Sequence, residues 1–255
     1  MRRGGLRSGD APGGGLSGYR RGRGGGARRG RPVRDARATW RQEVIAPEFF
    51  KLTSLLLQYP GDELLAARGE LLAECGRLGR RRPAKLLREA CERWVAVEPS
   101  DLRRGYVETF DFRRRSSLYL TFHSYGDRRE RGSALIALKQ RYDAAGFDLD
   151  SPELPDFLPL MLEFCALAPE AGLEVLLEHR ESLEVLRAEL GERESLWAPI
   201  VAAICATLPS ITRRQRARVE RMAAEGPPTE QVGLDPYPAA EAMPPLEPVA
   251  GGGLR

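Results

Sequence analysis

Tyr106-Val-Glu-Thr-Phe110-Asp111, Ser117-Leu-Tyr-Leu-Thr121, Tyr125-Gly-Asp127-Arg-Arg-Glu-Arg131-Gly132, Glu153-Leu-Pro155-Asp156-Phe157-Leu-Pro159 and Leu162-Glu163-Phe164 follow one another between Gly105 and Ala166. They read as amphipathic helices punctuated by breaks. Asp127 stands before a helical pattern with Glu130 three residues on, a capping box with Asp in the Ser/Thr role. Leu135, Leu138 and Tyr142 then recur at helical spacing. Gly146 follows as a left-handed C-cap.

Working outward, Pro47 suits the first turn of a helix carrying Phe49, Leu52, Leu55 and Leu56, which ends at Tyr59-Pro60-Gly61-Asp62. Leu64 to Leu78 forms the next pattern, broken at Arg80-Arg-Arg-Pro83. Leu86, Leu87, Ala90, Cys91, Trp94 and Val97 predict a third helix. Ser100 and Asp101 offer caps for a fourth, with Leu102, Tyr106 and Phe110 on one face. Arg113-Arg-Arg115 marks an exposed turn before a helix over Leu118–Phe122, and Asp148 to Pro155 reads as a loop. Helices over Leu158–Leu167, Leu173–Leu190, Ser195–Leu208 and 211–225 complete the set, with Trp197, Ile200, Val201, Ile204 and Leu208 facing inward. No segment alternates as a strand should. The expected fold class is all-α, a single compact domain of about nine to eleven helices over residues 43–225.

The chain total of +4 is misleading. Residues 1–42 hold twelve Arg against Asp10 and Asp35, a net +10, which leaves the remainder at −6. Composition predicts that this Arg/Gly-rich tail is disordered. It is either a solvated extension or an RGG-like nucleic-acid tether, and the acidic body argues against nucleic acid as partner of the folded part. From Gly226 to Arg255 a Pro-rich stretch without periodicity is expected to be a second disordered tail. Cys75, Cys91, Cys165 and Cys205 sit among apolar neighbours at helical spacing without a CxxC, and His123 and His179 are the only histidines. The cysteines therefore read as buried thiols and no metal site is expected. Neither a membrane-spanning run nor a signal peptide is seen, so a cytoplasmic protein is expected. There is no phosphate loop, nucleophile elbow or HExxH, which weighs against an enzyme.

The Leu-Tyr-Leu-Thr run, Gly-Asp-x-Arg-x-Arg-Gly and Glu-Leu-Pro-Asp-x-Leu-Pro, in that order, resemble the nitrate reductase molybdenum cofactor assembly chaperones. These are the delta-subunit-like members of the all-helical redox-enzyme maturation chaperones, and the resemblance covers roughly residues 48–208. It implies a non-catalytic chaperone that binds the N-terminal segment of the apo nitrate reductase alpha subunit. It also implies that the client is held until bis-molybdopterin guanine dinucleotide is inserted, with no cofactor kept by the chaperone itself. Cofactor-biosynthesis proteins are further candidate partners; a sister molybdoenzyme is the alternative client.

The matching motif positions are Tyr119, Leu120, Asp127, Arg129, Arg131, Glu153, Pro155, Asp156 and Glu163, and Phe122 and Phe157 adjoin them. Carried over by resemblance, Tyr119, Leu120 and Phe122 anchor apolar residues of the client, and Glu153 and Asp156 reach its basic residues. Arg131 pairs with an acidic neighbour to hold the groove's shape. Asp127 as a helix cap and Tyr119 as core stay open as alternatives. Phe157 stands where these chaperones often carry His, which implies a more apolar groove.

Overall fold

Leu158-Pro-Leu-Met-Leu162 is apolar on every face of a helix, and a helix of that kind must lie at the centre of a protein. The computed structural model, which describes residues 6–8, 45–149 and 151–229, places it there. Helix α8 (Leu158–Leu167) buries seven of its residues, Phe164 and Cys165 among them. It packs along α1 (Pro47–Leu56) and α9 (Pro169–Glu178). Pro47 occupies the first position of α1 as expected, and Thr53 returns its hydroxyl to the Phe49 carbonyl at 2.8 Å, satisfying a polar group buried inside the core.

The remaining helices surround this pair. They are α2 (Asp62–Ala66), α3 (Arg68–Arg77), α4 (Arg82–Val95), α5 (Pro99–Tyr106), α6 (Leu120–Tyr125), α7 (Glu130–Ala144), α10 (Arg180–Glu192), α11 (Ala198–Cys205) and α12 (Arg213–Glu225). Helix α4 lies on α3 and α11, while α10 lies on α6, α11 and α12. Buried residues from Phe49 to Leu208 form one contiguous cluster. The protein is all-α, with 12 α-helices among the described residues rather than nine to eleven. Two expected helices are each divided, Leu64–Leu78 at Ala67 and Leu173–Leu190 at His179. Helix α12 opens with a capping box, Thr212 accepting from the Gln215 amide and Gln215 reaching back.

Two expectations of caps fail. Helix α5 begins at Pro99 with Glu98 before it and no side-chain cap from Ser100 or Asp101. Helix α7 begins at Glu130, and Asp127 is not its cap. Gly146 does take the left-handed conformation after α7, at φ +84°. Strands were not expected, yet β1 (Leu6–Ser8) pairs antiparallel with β2 (Phe147–Leu149). Backbone groups make that pairing, so side-chain alternation does not announce it. The rest of the Arg/Gly-rich tail and the Pro-rich stretch from residue 230 onward lie outside the described residues. No helix of the described residues is long and apolar enough to cross a membrane.

The α8–α9 crossing depends on Gly172, where an added Cβ would lie 2.5 Å from the Cys165 Cα. In an open helix, Gly→Ala gains up to about 1 kcal/mol. Here the obstacle is backbone, so overpacking wins, and Gly172→Ala is expected to destabilise by about 1–3 kcal/mol in denaturant titration.

Candidate groove and its neighbours

The groove is built where two non-helical segments meet. Leu118 to Leu120 and Asp156 to Leu158 form a short antiparallel bridge, the Leu120 amide donating to the Asp156 carbonyl at 3.0 Å and the Leu158 amide to the Leu118 carbonyl at 2.8 Å. Pro155 stands in a turn closed by the Phe157 amide donating to the Leu154 carbonyl at 3.0 Å, and Pro159 stands in the first turn of α8. Alternation along the bridge then separates the side chains. Leu118, Leu120, Asp156 and Leu158 are buried, while Tyr119 and Phe157 face outward half-buried, their ring centroids 5.2 Å apart.

Beneath that aromatic pair lies a polar knot. Asp156 is fully buried, and one carboxylate oxygen accepts from the Thr121 amide at 3.1 Å, from the Thr121 hydroxyl and from Arg131 at 3.4 Å. Thr121 lies in the first turn of α6, so Asp156 caps that helix from a distant part of the chain. Arg131 donates also to the Thr121 hydroxyl at 3.2 Å. Its guanidinium lies 5.4 Å from the Phe122 ring centroid and 5.8 Å from that of Tyr119, and Arg114 stands 5.1 Å from Phe122. Both cations therefore meet aromatic π-systems.

Above the knot opens a groove of about 470 Å³. Tyr119, Phe122, Phe157, Arg131 and Glu153 line it, together with Tyr106, Phe110, Leu118 and the edge residues Asp111, Arg113 and Arg114. The Tyr119 hydroxyl donates to the exposed Glu153 carboxylate at 2.7 Å. Burial, and then that hydrogen bond, pushes the phenol well above its usual range, so it stays a donor. Tyr106 and Phe110 are backed by Trp197, with centroids 5.8 and 5.3 Å away. A π-helical turn over Val107–Asp111 follows α5 and carries the chain to the groove edge. Two of the large apolar side chains left exposed, Phe112 and Leu154, adjoin groove residues in sequence.

Five of the ten expected site residues thus meet in one groove: Tyr119, Phe122, Arg131, Glu153 and Phe157. The others fall elsewhere. Leu120 is wholly buried core and anchors nothing external. Asp156, expected to reach a basic ligand, is enclosed because its carboxylate caps α6 and pairs with Arg131. Asp127 accepts from Arg114 at 2.6 Å on the surface instead of capping α7. Pro155 gives its carbonyl to the Tyr142 hydroxyl at 2.7 Å. Glu163 is half-buried on α8 beside Gln58, outside the groove lining. Tyr106 and Phe110, read from their spacing only as one face of a helix, are buried in the core and also form the groove's inner wall.

All four cysteines are buried and free. Burial pushes the Cys165 thiol up and raises Cys205 to about 12, and the hydrogen bond with Cys91 together with burial holds Cys75 protonated. Cys75, Cys165 and Cys205 are therefore poor nucleophiles, whereas the hydrogen bond with Cys75 lowers Cys91. No group of three or more potential metal ligands occurs among the described residues.

Behind the groove, the His123 ring lies buried with Nε2–H donating to the Ser117 carbonyl at 2.8 Å and Nδ1 without a partner. Burial lowers its pKa below the usual 6.5, against the pull of that bond and of the Asp156 and Glu189 charges; His179 is lowered likewise by burial. The unfolded chain then takes up protons first as pH falls through 6.5. Stability is accordingly full above that pH and declines below it until the folded-state pKa values are passed. Thermal melts should be flat between about pH 7 and 8 and fall below about 6.5, and His123→Gln should shallow that fall. An unchanged slope in that variant would remove His123 from the account.

The fold and the site thus define a helical body with an aromatic groove that is open at one side and flanked by the exposed Phe112 and Leu154. Residues 77–203 match the family model described as nitrate reductase delta subunit. The chain is 35% identical over 167 residues to a probable nitrate reductase molybdenum cofactor assembly chaperone, NarJ, of Bacillus subtilis, covering 65% of this chain and 91% of that protein. It is 32% identical to the probable chaperone NarW of Escherichia coli K12 over 62% of this chain and 66% of NarW. With NarJ of the same organism it shares 40% identity over 41% of this chain and 44% of NarJ. The chain belongs to the nitrate reductase delta-subunit family of molybdenum cofactor assembly chaperones, whose members are maturation proteins and not catalysts.

Proposed function

We propose that this protein is a system-specific assembly chaperone that binds the N-terminal segment of the apo nitrate reductase alpha subunit. It holds that subunit for insertion of bis-molybdopterin guanine dinucleotide, which is cargo of the client and no resident of the chaperone. The observation that carries this reading is the groove, in which Tyr119, Phe122 and Phe157 present apolar surface beside the Glu153 carboxylate. The family of the chain supports it, since NarJ of Escherichia coli is named a nitrate reductase molybdenum cofactor assembly chaperone.

Apolar residues of the client enter between the aromatic rings, and its basic residues meet Glu153 and Asp111 at the edge. Asp156 acts from below by fixing Arg131 and the start of α6, which hold Phe122 and Tyr119 in place. The body over residues 43–225 carries this activity in the cytoplasm. Co-purification from cells expressing the alpha subunit with its N-terminus intact or deleted tests the reading. Capture of the intact form alone is expected, and equal capture of both forms would contradict it.

A further inference from the structure

We propose that the groove's resident occupant is the chain's own segment 230–248, docked as an extended proline-rich strand. This rests on the groove being a peptide-docking site and is independent of which client displaces the segment.

The groove's chemistry suits such a segment. Five aromatic rings, Tyr106, Phe110, Tyr119, Phe122 and Phe157, line it. Ring-lined grooves are what polyproline segments dock into, because such segments are already extended and lose little entropy on binding. The chain supplies one: Pro236, Pro238, Pro244, Pro245 and Pro248 fall within Glu230 to Pro248. Pro245-Leu-Glu-Pro248 has the three-residue spacing that puts both prolines on one face of a polyproline helix. Leu234, Tyr237 and Leu246 add apolar side chains between them.

Charge agrees. The groove lining sets Arg113, Arg114 and Arg131 against Asp111 and Glu153, with Arg131 already paired to the buried Asp156. Segment 230–248 brings Glu230, Asp235, Glu241 and Glu247 and no Lys or Arg. Arg114 lies over the Phe122 ring and makes one exposed pair, with Asp127, a pair worth about 0–1 kcal/mol and readily exchanged for another carboxylate.

Placement completes the case. After α12 the chain turns at Gly226 beside Arg115, whose guanidinium donates to the Ala223 carbonyl at 3.0 Å. The Pro228 carbonyl then presses on Gly126, at φ +57°, where a Cβ would stand 1.6 Å from that oxygen. Gly126 is next to Asp127, the partner of the groove residue Arg114. The described chain therefore ends at Thr229 beside Arg128, Arg129 and Glu130, close in sequence to Asp127, and nineteen residues at about 3.1 Å each are long enough to span from there to the groove and across it.

The test begins with the full chain carrying a protease site after Thr229, cut once folded and freed of the released peptide. The probe is a synthetic peptide of residues 230–250. Cut protein is expected to bind it, and uncut protein to bind it at least about tenfold more weakly, since the tethered copy fills the site at an effective concentration near millimolar. Phe122→Ala and Arg114→Glu in cut protein should each weaken the peptide. Equal binding by cut and uncut protein, or binding indifferent to both substitutions, would overturn the proposal. So would dimers in uncut protein that vanish on cutting, because they assign the segment to a second copy. In the chain without the protease site, Asp235→Lys, Glu241→Lys and Glu247→Lys together should speed hydrogen exchange across residues 107–125, and unchanged exchange also overturns it. Titrating the alpha-subunit segment into both forms separates the two readings: if it fails to bind where the 230–250 peptide binds, the client assignment falls and this inference stands.

Discussion

Asp156→Ala is expected to lower the stability of the folded protein by about 3–5 kcal/mol, the cost of removing one partner from a buried charged pair. At this chain length that is a fall in melting temperature of about 6–20 °C. The reason lies in what the substitution orphans. Arg131, largely buried, loses its ion-pair partner, and the Thr121 amide and hydroxyl lose their acceptor. Exposed Glu153 differs, so Glu153→Gln should leave the melt within about 0.5 kcal/mol of wild type. A normal melt for Asp156→Ala with ligand binding lost would return Asp156 to the direct-contact role that its burial denies.

Tyr119→Ala is expected to reverse that pattern. Its ring is half-buried at the groove, packed on Phe157 and Arg131, with the hydroxyl on Glu153. As a binding anchor it should contribute about 2 kcal/mol or more to the client segment, roughly a thirtyfold loss in affinity, with the melt little altered. Were the ring mainly core, the melting temperature would fall first and affinity would follow it. Glu153→Gln, measured beside it, should weaken binding only a few-fold and reduce its salt dependence, since an exposed charge pair contributes about 0–1 kcal/mol.

Local signals in the chain were read well where local physics decides. The start of α1 follows from Pro47, the span of α8 from an apolar run broken only by Glu163, and the turn after α7 from Gly146, and all three stand in the structure. Asp127 shows where that reasoning stops. Its capping box is favourable in isolation, but Arg114, distant in sequence, draws the carboxylate to the surface. Asp156 is the converse case, capping a helix 35 residues before it, which no window of neighbouring residues displays. Half of the candidate site was legible because Tyr119, Phe122, Arg131, Glu153 and Phe157 carry it in short motifs. Tyr106 and Phe110 looked like an ordinary helical stripe; both are buried core, and their place at the groove's inner wall depends on contacts with Trp197 that no local window displays.

The central claim is that this groove holds the N-terminal segment of the nitrate reductase alpha subunit. A photoreactive phenylalanine analogue at position 112, where the native ring is 79% exposed beside the groove, tests it most directly. Illumination of cells producing both proteins should link the chaperone to the alpha subunit when its N-terminus is present and not when it is deleted, with no product from the same analogue at Leu72 on α3. Linking that survives deletion of the N-terminus, or that arises from position 72 and not from 112, would contradict the account.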